Sequence, residues 1–290
     1  FWPYRLMVNQ CLFLATSSVD AMARGDLAGA KDRALASARI AAHAGQGVLR
    51  ESAWARGRCE QLALKAGARV AARLPEQEAL PFLEDLRKAL GPEPTIVQAL
   101  RGELVRIQAR IDRTHLLPFG QKAPFEEVVK AAWKSQVIER YQELSRALAN
   151  STSEEEQRKR LRELDDWTRK NVLLQRNLPR QLERTGVGVS FTLARRRMLD
   201  GLIAWKRNGS PPGAEIARDP FGGGAFVPSA SGYGLKSLGL DGVEQHPGEF
   251  WEQEGPQDDP VLLLASDPPK PTDAPQPMAN SAKGEGSRLE

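Results

Sequence analysis

The residues best suited to chemistry lie near the end of the chain. Asp219-Pro220-Phe221-Gly222-Gly223-Gly224 is followed by Ser237-Leu238-Gly239-Leu240-Asp241-Gly242, and then by the acid pair Asp258-Asp259. Calcium takes about six to eight oxygen ligands. Asp241, Asp258, Asp259 and the carbonyls of a tight loop offer oxygens of that kind, so these three carboxylates are the candidate metal ligands. Gly239 and Gly242 allow such a loop to turn its carbonyls inward. The Asp241-Gly242 pair also suits an ordinary β-turn, and both readings stay open. In the first motif Pro220 fixes its own backbone, Phe221 is placed to anchor on a preceding helix, and Gly222 to Gly224 accept positive φ.

Other chemistries find little support in the residues. His43, His115 and His246 lie far apart in the chain, with no paired histidines at metal-ligand spacing. Gly186-Val187-Gly188 lacks the third glycine of a dinucleotide fingerprint, and no Walker loop, nucleophile elbow or zinc pattern occurs. Glu154-Glu155-Glu156 and Asp165-Asp166 read as solvated helix residues. The cluster from Arg158 to Arg162 and the run Arg195-Arg196-Arg197 are the stretches that phosphates would meet, without a groove-reading module or aromatic platform beside them. No catalytic constellation emerges, and the chain reads as a non-enzyme.

Helices must position these motifs. Of the 290 residues 41% are hydrophobic, enough for a buried core. The net charge of +4 conceals a split: Phe1 to Arg218 holds 37 Lys and Arg against 25 Asp and Glu, and the remainder 4 against 12. A basic body and an acidic end can dock on each other, or the body can meet an external polyanion. Cys11 and Cys59 offer no Cys-x-x-Cys pair. Both fall in helical patterns, so two buried free thiols are expected, with a bridge between neighbouring helices as the alternative in an oxidising compartment. The chain opens on Phe1-Trp2-Pro3-Tyr4 without an initiator Met, which suggests a fragment or a processed form. No apolar run approaches the length of a membrane span, so membrane attachment is expected only through a segment upstream of Phe1.

Apolar periodicity predicts helices from Met7 to Arg24 and from Leu27 to Ala44, punctuated by Gly25-Asp26. The second arm uses Ala30, Ala34, Ala38 and Ala41, a spacing that lets helices approach closely. It looks like half of a tetratricopeptide unit. No such motif returns about 34 residues later, as that repeat demands, so the array is read as irregular. Further helices are predicted from Val48 to Leu74, from Leu80 to Leu90 with Pro81 in the first turn, and along Ile96 or Val97, Leu100, Leu104, Ile107 and Ile111. A break at Leu116-Leu117-Pro118-Phe119-Gly120 precedes a stripe of Val129, Trp133, Val137, Tyr141, Leu144 and Leu148. Ser151 and Ser153 suit a cap for the next helix, which carries Leu161, Leu164, Trp167, Leu174, Leu178 and Leu182 on one face. The last helix is predicted from Phe191 to Lys206, closed by Asn208-Gly209. Brief strands follow at Ala225 to Val227, Gly234 to Ser237 and Val261 to Leu264, and Asp267 to Glu290 has a disordered composition.

A helix, then D-P-F-G-G-G, a short strand, S-L-G-L-D-G and an acidic pair before an apolar strand resembles the C-terminal globular part of type II secretion pseudopilins. The resemblance covers about Leu193 to Leu264. It implies a small antiparallel sheet packed on a helix, flanked by the two turns, with calcium held at the second loop. More loosely, the chain resembles uncharacterised envelope proteins that place a helical array before the same ending, with likeness around Gly25-Asp26-Leu27 and Leu100-Arg101-Gly102-Glu103. Departures are plain: Val243-Glu244-Gln245-His246-Pro247 replaces a Gly-rich stretch, Pro260 follows the acidic pair, and a helical array stands where a pseudopilin has its long apolar stem.

The expectation is therefore a mainly α protein, an irregular and partly tetratricopeptide-like α-α array with a small C-terminal antiparallel β appendage and a disordered tail. Its parts are 1–117 and 118–190 as two helical regions, 191–265 as a helix with a small β module, and 266–290 as tail. The expected function is a non-catalytic extracytoplasmic or envelope-associated scaffold that binds a protein partner, with calcium as an optional ligand and no required cofactor. The alternatives are a cytoplasmic nucleic-acid or polyanion binder, and an enzyme whose site is assembled from scattered helical acids.

Overall fold

The computed structural model describes residues 2–47, 50–113, 125–151, 153–170, 182–221, 223–228, 234–237 and 261–263. Among these, eight helices precede a small sheet, and the fold is mainly α, as the periodicity predicts. The helices are α1 (Trp2–Ala23), α2 (Leu27–Ala44), α3 (Arg50–Arg73), α4 (Glu76–Ala89), α5 (Ile96–Arg113), α6 (Glu126–Ala149), α7 (Glu154–Lys170) and α8 (Leu182–Asn208). The strands are β1 (Val227–Pro228), β2 (Gly234–Lys236) and β3 (Val261–Leu263), antiparallel in the order β1-β2-β3. The expected tail at 266–290 lies outside the described residues.

Two apolar clusters form. The larger is shared by α1 to α4, α8 and the sheet, and alanines close it: Ala30, Ala34, Ala38 and Ala41 of α2 are fully buried. Asp26 caps α2, its carboxylate accepting from Gly29 N at 2.9 Å, and Gly25 makes the turn at φ +80°. Cys11 and Cys59 are free and buried in this cluster. The smaller cluster joins α5, α6 and α7 through Leu100, Ile107, Ile111, Val137, Tyr141, Leu144, Leu161 and Leu164. Trp133 and Trp167 pack on its flank, and Trp205 packs on the larger one.

Three local expectations need correction. Helix α4 starts at Glu76 rather than Leu80, so Pro81 stands inside it. Pro75 takes the N-cap position, its carbonyl accepts from Glu78 N and Ala79 N, and Glu76 and Glu78 complement the dipole in the first turn. The helix extends past a residue without an N–H because Phe82, Leu83 and Leu86 are buried in the large cluster. Helix α8 begins at Leu182, nine residues before the predicted start. Its internal Gly186 is required by packing, since a Cβ there would lie 2.5 Å from Leu161 Cδ1 and 3.1 Å from Ile96 Cδ1. Of the two serines before α7, Ser153 caps it by accepting from Glu156 N, whereas Ser151 donates back to Ala147 O of α6.

Candidate functional site

Helix α8 ends as its sequence demands. Gly209 adopts φ +75° and its N–H reaches Trp205 O at 2.8 Å. The chain then returns along α8 and enters the first motif. Asp219 organises it. Its Oδ1 accepts from Phe221 N at 2.9 Å and its Oδ2 accepts from Ser237 Oγ at 2.8 Å. Its main-chain N–H donates to Gly224 O and its carbonyl accepts from Gly223 N, with Gly223 at φ +69°. Arg218 Nε donates to Gly223 O at 2.7 Å. Asp219 and Ser237 are both buried, so each carboxylate oxygen is committed to holding the turn rather than turned to a ligand.

Phe221 anchors on α8, its ring 4.9 Å from that of Phe191, and the Arg158 guanidinium of α7 lies 5.7 Å from its centroid. Above the turn, Leu235 of β2 stands opposite Leu262 of β3, and both are buried with Phe226 against α8. Gly201 makes that approach feasible: a Cβ there would lie 2.6 Å from Leu235 Cδ1 and 3.0 Å from Ala217 Cβ. The first motif and the opening residue of the second are thus stitched together through one carboxylate.

The proposed ligands Asp241, Asp258 and Asp259 lie outside the described residues, and nothing here brings them together or separates them. Among the described residues no group of three His, Cys, Asp or Glu is placed to hold a metal. No helix among them is long and apolar enough to cross a membrane.

A second constellation escapes sequence reading. Glu60 of α3, with 0% exposure, accepts from Arg56 Nε at 2.6 Å and from Arg196 Nε and Nη2 at 2.6 and 2.7 Å. Arg196 also donates to Leu90 O and Gly91 O, and Arg56 donates to Pro92 O. A buried carboxylate thus sits between two guanidiniums whose remaining donors close the carbonyls after α4. Arg195 beside it is held down to about 10 by burial, by the nearby Arg58 charge and against the pull of Glu60. The only sequence hint is Arg56 four residues before Glu60, a helical i,i+4 pair. The partner at position 196 has no local signal.

The two arginine runs consequently differ. Arg195 and Arg196 are buried and Arg197 donates to Arg218 O, so that run is structural. On α7, Lys159 and Arg162 are exposed, and Arg160 pairs with Glu163 at 3.2 Å. Between α6 and α7 an open groove of about 230 Å³ has Leu144 and Leu164 among its lining, with the charges of Arg140, Glu143, Arg160 and Glu163 around them. Large apolar side chains stand exposed on α1 (Leu6, Leu12 and Phe13, the last 70% exposed) and at the start of α6 (Phe125, Val128).

Comparison of the chain with protein families, curated proteins and solved structures returns no match.

Proposed function

We propose that this chain is a non-catalytic scaffold of the extracytoplasmic space or cell envelope, whose helical body binds another protein and whose pseudopilin-like terminal module caps and orients that body. The observation that carries the reading is the carboxylate of Asp219, which ties the D-P-F-G turn to Ser237 beneath a small antiparallel sheet packed on a helix. A small antiparallel sheet packed on a helix is what the resemblance implies, and of the second motif Ser237 alone lies among the described residues. The exposed apolar side chains of α1 supply a surface for a protein partner. A polyanion reading loses Arg195 and Arg196 to the interior and would rest on α7 alone.

Calcium remains an optional ligand of Asp241, Asp258 and Asp259 in this proposal. Fractionation of the natural host, following the complete gene product, is expected to recover it outside the cytoplasm. Recovery in the cytosol alone overturns the reading. Millimolar calcium is expected to raise Tm through binding to the folded state, and joint replacement of the three aspartates by Asn is expected to abolish the rise. Absence of any rise in the unaltered chain reduces Asp241-Gly242 to a turn.

A further inference from the structure

Helices α1 and α3 run side by side in the same direction. Tyr4 and Ser52 converge on Gly47, where an added Cβ would meet the Tyr4 hydroxyl at 2.7 Å and Ser52 Cβ at 2.8 Å. About two turns further along both helices, Cys11 faces Cys59. The Cys11 Sγ lies 3.3 Å from the main-chain carbonyl of Cys59 and 2.9 Å from Ser37 Oγ of α2. A thiol that touches the neighbouring residue's own carbonyl has already crossed the gap between the helices. Proximity to Cys59 and the contact with Ser37 make the Cys11 thiol the more acidic of the two, and Cys11 together with burial raises Cys59. Small residues surround the pair: Ala15 on α1, Ala34 and Ala38 on α2, Ala55 and Ala63 on α3 are all fully buried. Such packing brings helix backbones into the narrow separation that a disulfide requires.

We propose that Cys11 and Cys59 are a modification site, an internal disulfide that joins α1 to α3 and is closed by thiol–disulfide exchange with a low-molecular-weight or protein disulfide. The Cys11 thiolate attacks one sulfur of the incoming disulfide and expels the other as a thiolate. The Cys59 thiolate then attacks the Cys11 sulfur of the mixed disulfide and expels the second. Two cysteine thiols are oxidised, the reagent disulfide is reduced to two thiols, and the protons pass to the expelled thiolates or to solvent. Both sulfurs are fully buried, so exchange takes place before α1 docks or when it lifts away. Once packed, the pair keeps the redox state in which it folded. In the cell the bridge rests on the oxidising compartment proposed above, whereas the refolding test below does not depend on it.

The test is refolding of the reduced, denatured chain in a mixture of oxidised and reduced glutathione, against refolding in reductant alone. The expected product has lost two hydrogens in intact mass and yields a linked Cys11–Cys59 peptide. It retains its helical circular dichroism and melts about 5–10 °C higher, as closure of a loop between residues 48 apart predicts. Cys59→Ala treated identically should melt at one temperature in both buffers. Single glutathione adducts without a bridge, two free thiols in the oxidised sample, or a bridge that lowers Tm would each leave the pair as small core residues and overturn the proposal. If refolding fails, the same comparison of mass and melting is made between chain produced in an oxidising compartment and chain produced in a reducing cytosol.

Discussion

The core of α1 to α4 with α8 and the core of α5 to α7 treat buried polarity in opposite ways. In the first, Glu60 is met by two guanidiniums from different helices, and their spare donors reach the carbonyls of Leu90, Gly91 and Pro92. In the second, Tyr141 is buried at 1% exposure with no hydrogen-bond partner for its hydroxyl, while Lys130 pairs with Glu126 one turn away on α6 and donates to Asp112 O of α5. One core is fixed by a buried carboxylate shared between elements distant in sequence, and the other by apolar contacts that leave a buried hydroxyl unmet, with Lys134 of α6 pairing with Asp112 of α5 at its edge. A satisfied polar network penalises alternative packings, because any shift leaves a charge unpaired. An apolar core tolerates small shifts.

The contrast breaks most severely at Glu60. Glu60→Ala leaves Arg56 and Arg196 buried without their counter-charge and should lower stability by about 3–5 kcal/mol, read as a reduced denaturant midpoint. A loss under 1 kcal/mol would mean that solvent reaches the guanidiniums and that the first core is not fixed in this way. Gly201→Ala should be next, costing about 1–3 kcal/mol through overpacking against Leu235 and Ala217. Its cost should appear first as local exposure of β2 to hydrogen exchange, with α5 to α7 unaffected.

Tyr141→Phe gives the smallest effect and the sharpest test of the second core. With its hydroxyl unpartnered, removal should change stability at neutral pH by between about 0 and +1 kcal/mol. Burial, with Glu103 and Asp165 nearby, raises the Tyr141 phenol above its ordinary value. The folded protein therefore holds the proton to higher pH than the unfolded chain. Its contribution is complete below about pH 10 and is lost as pH rises beyond that, when the unfolded state ionises. The Phe variant escapes this loss, so the stability difference between variant and parent should widen in the variant's favour in alkaline urea titrations. Parallel curves would mean that the phenol is solvated.

Much of the fold was legible from local rules. Leu27–Ala44 has the bounds that Asp26, the alanine spacing and Gly45 suggest, and Asn208-Gly209 ends α8 as a glycine cap. The misreadings share a cause. Pro81 and Gly186 carry local signals for breaks, yet Leu83 and Leu86 in one case, and Leu161 with Ile96 in the other, reward a continuous helix through contacts distant in sequence. The site was half legible. The sequence singled out Asp219 and Ser237 as members of two motifs, but their joining depends on a sheet register that no spacing rule supplies. Glu60 went unnoticed because its decisive partner is 136 residues away. Arg195-Arg196-Arg197 looked available to phosphates because a run of charge says nothing about what faces it.

The guanidinium of Arg196 on the carbonyls after α4 also constrains the order in which a ribosome can deliver this structure. Helices α1 to α4 emerge more than 100 residues before the group that closes their end. Until then Glu60 has Arg56 alone, and the groove that will receive α8 lies open. The nascent body is thus obliged to wait for its last helix, a long interval in which a chaperone, rather than the final partner, is the protein with most reason to hold it.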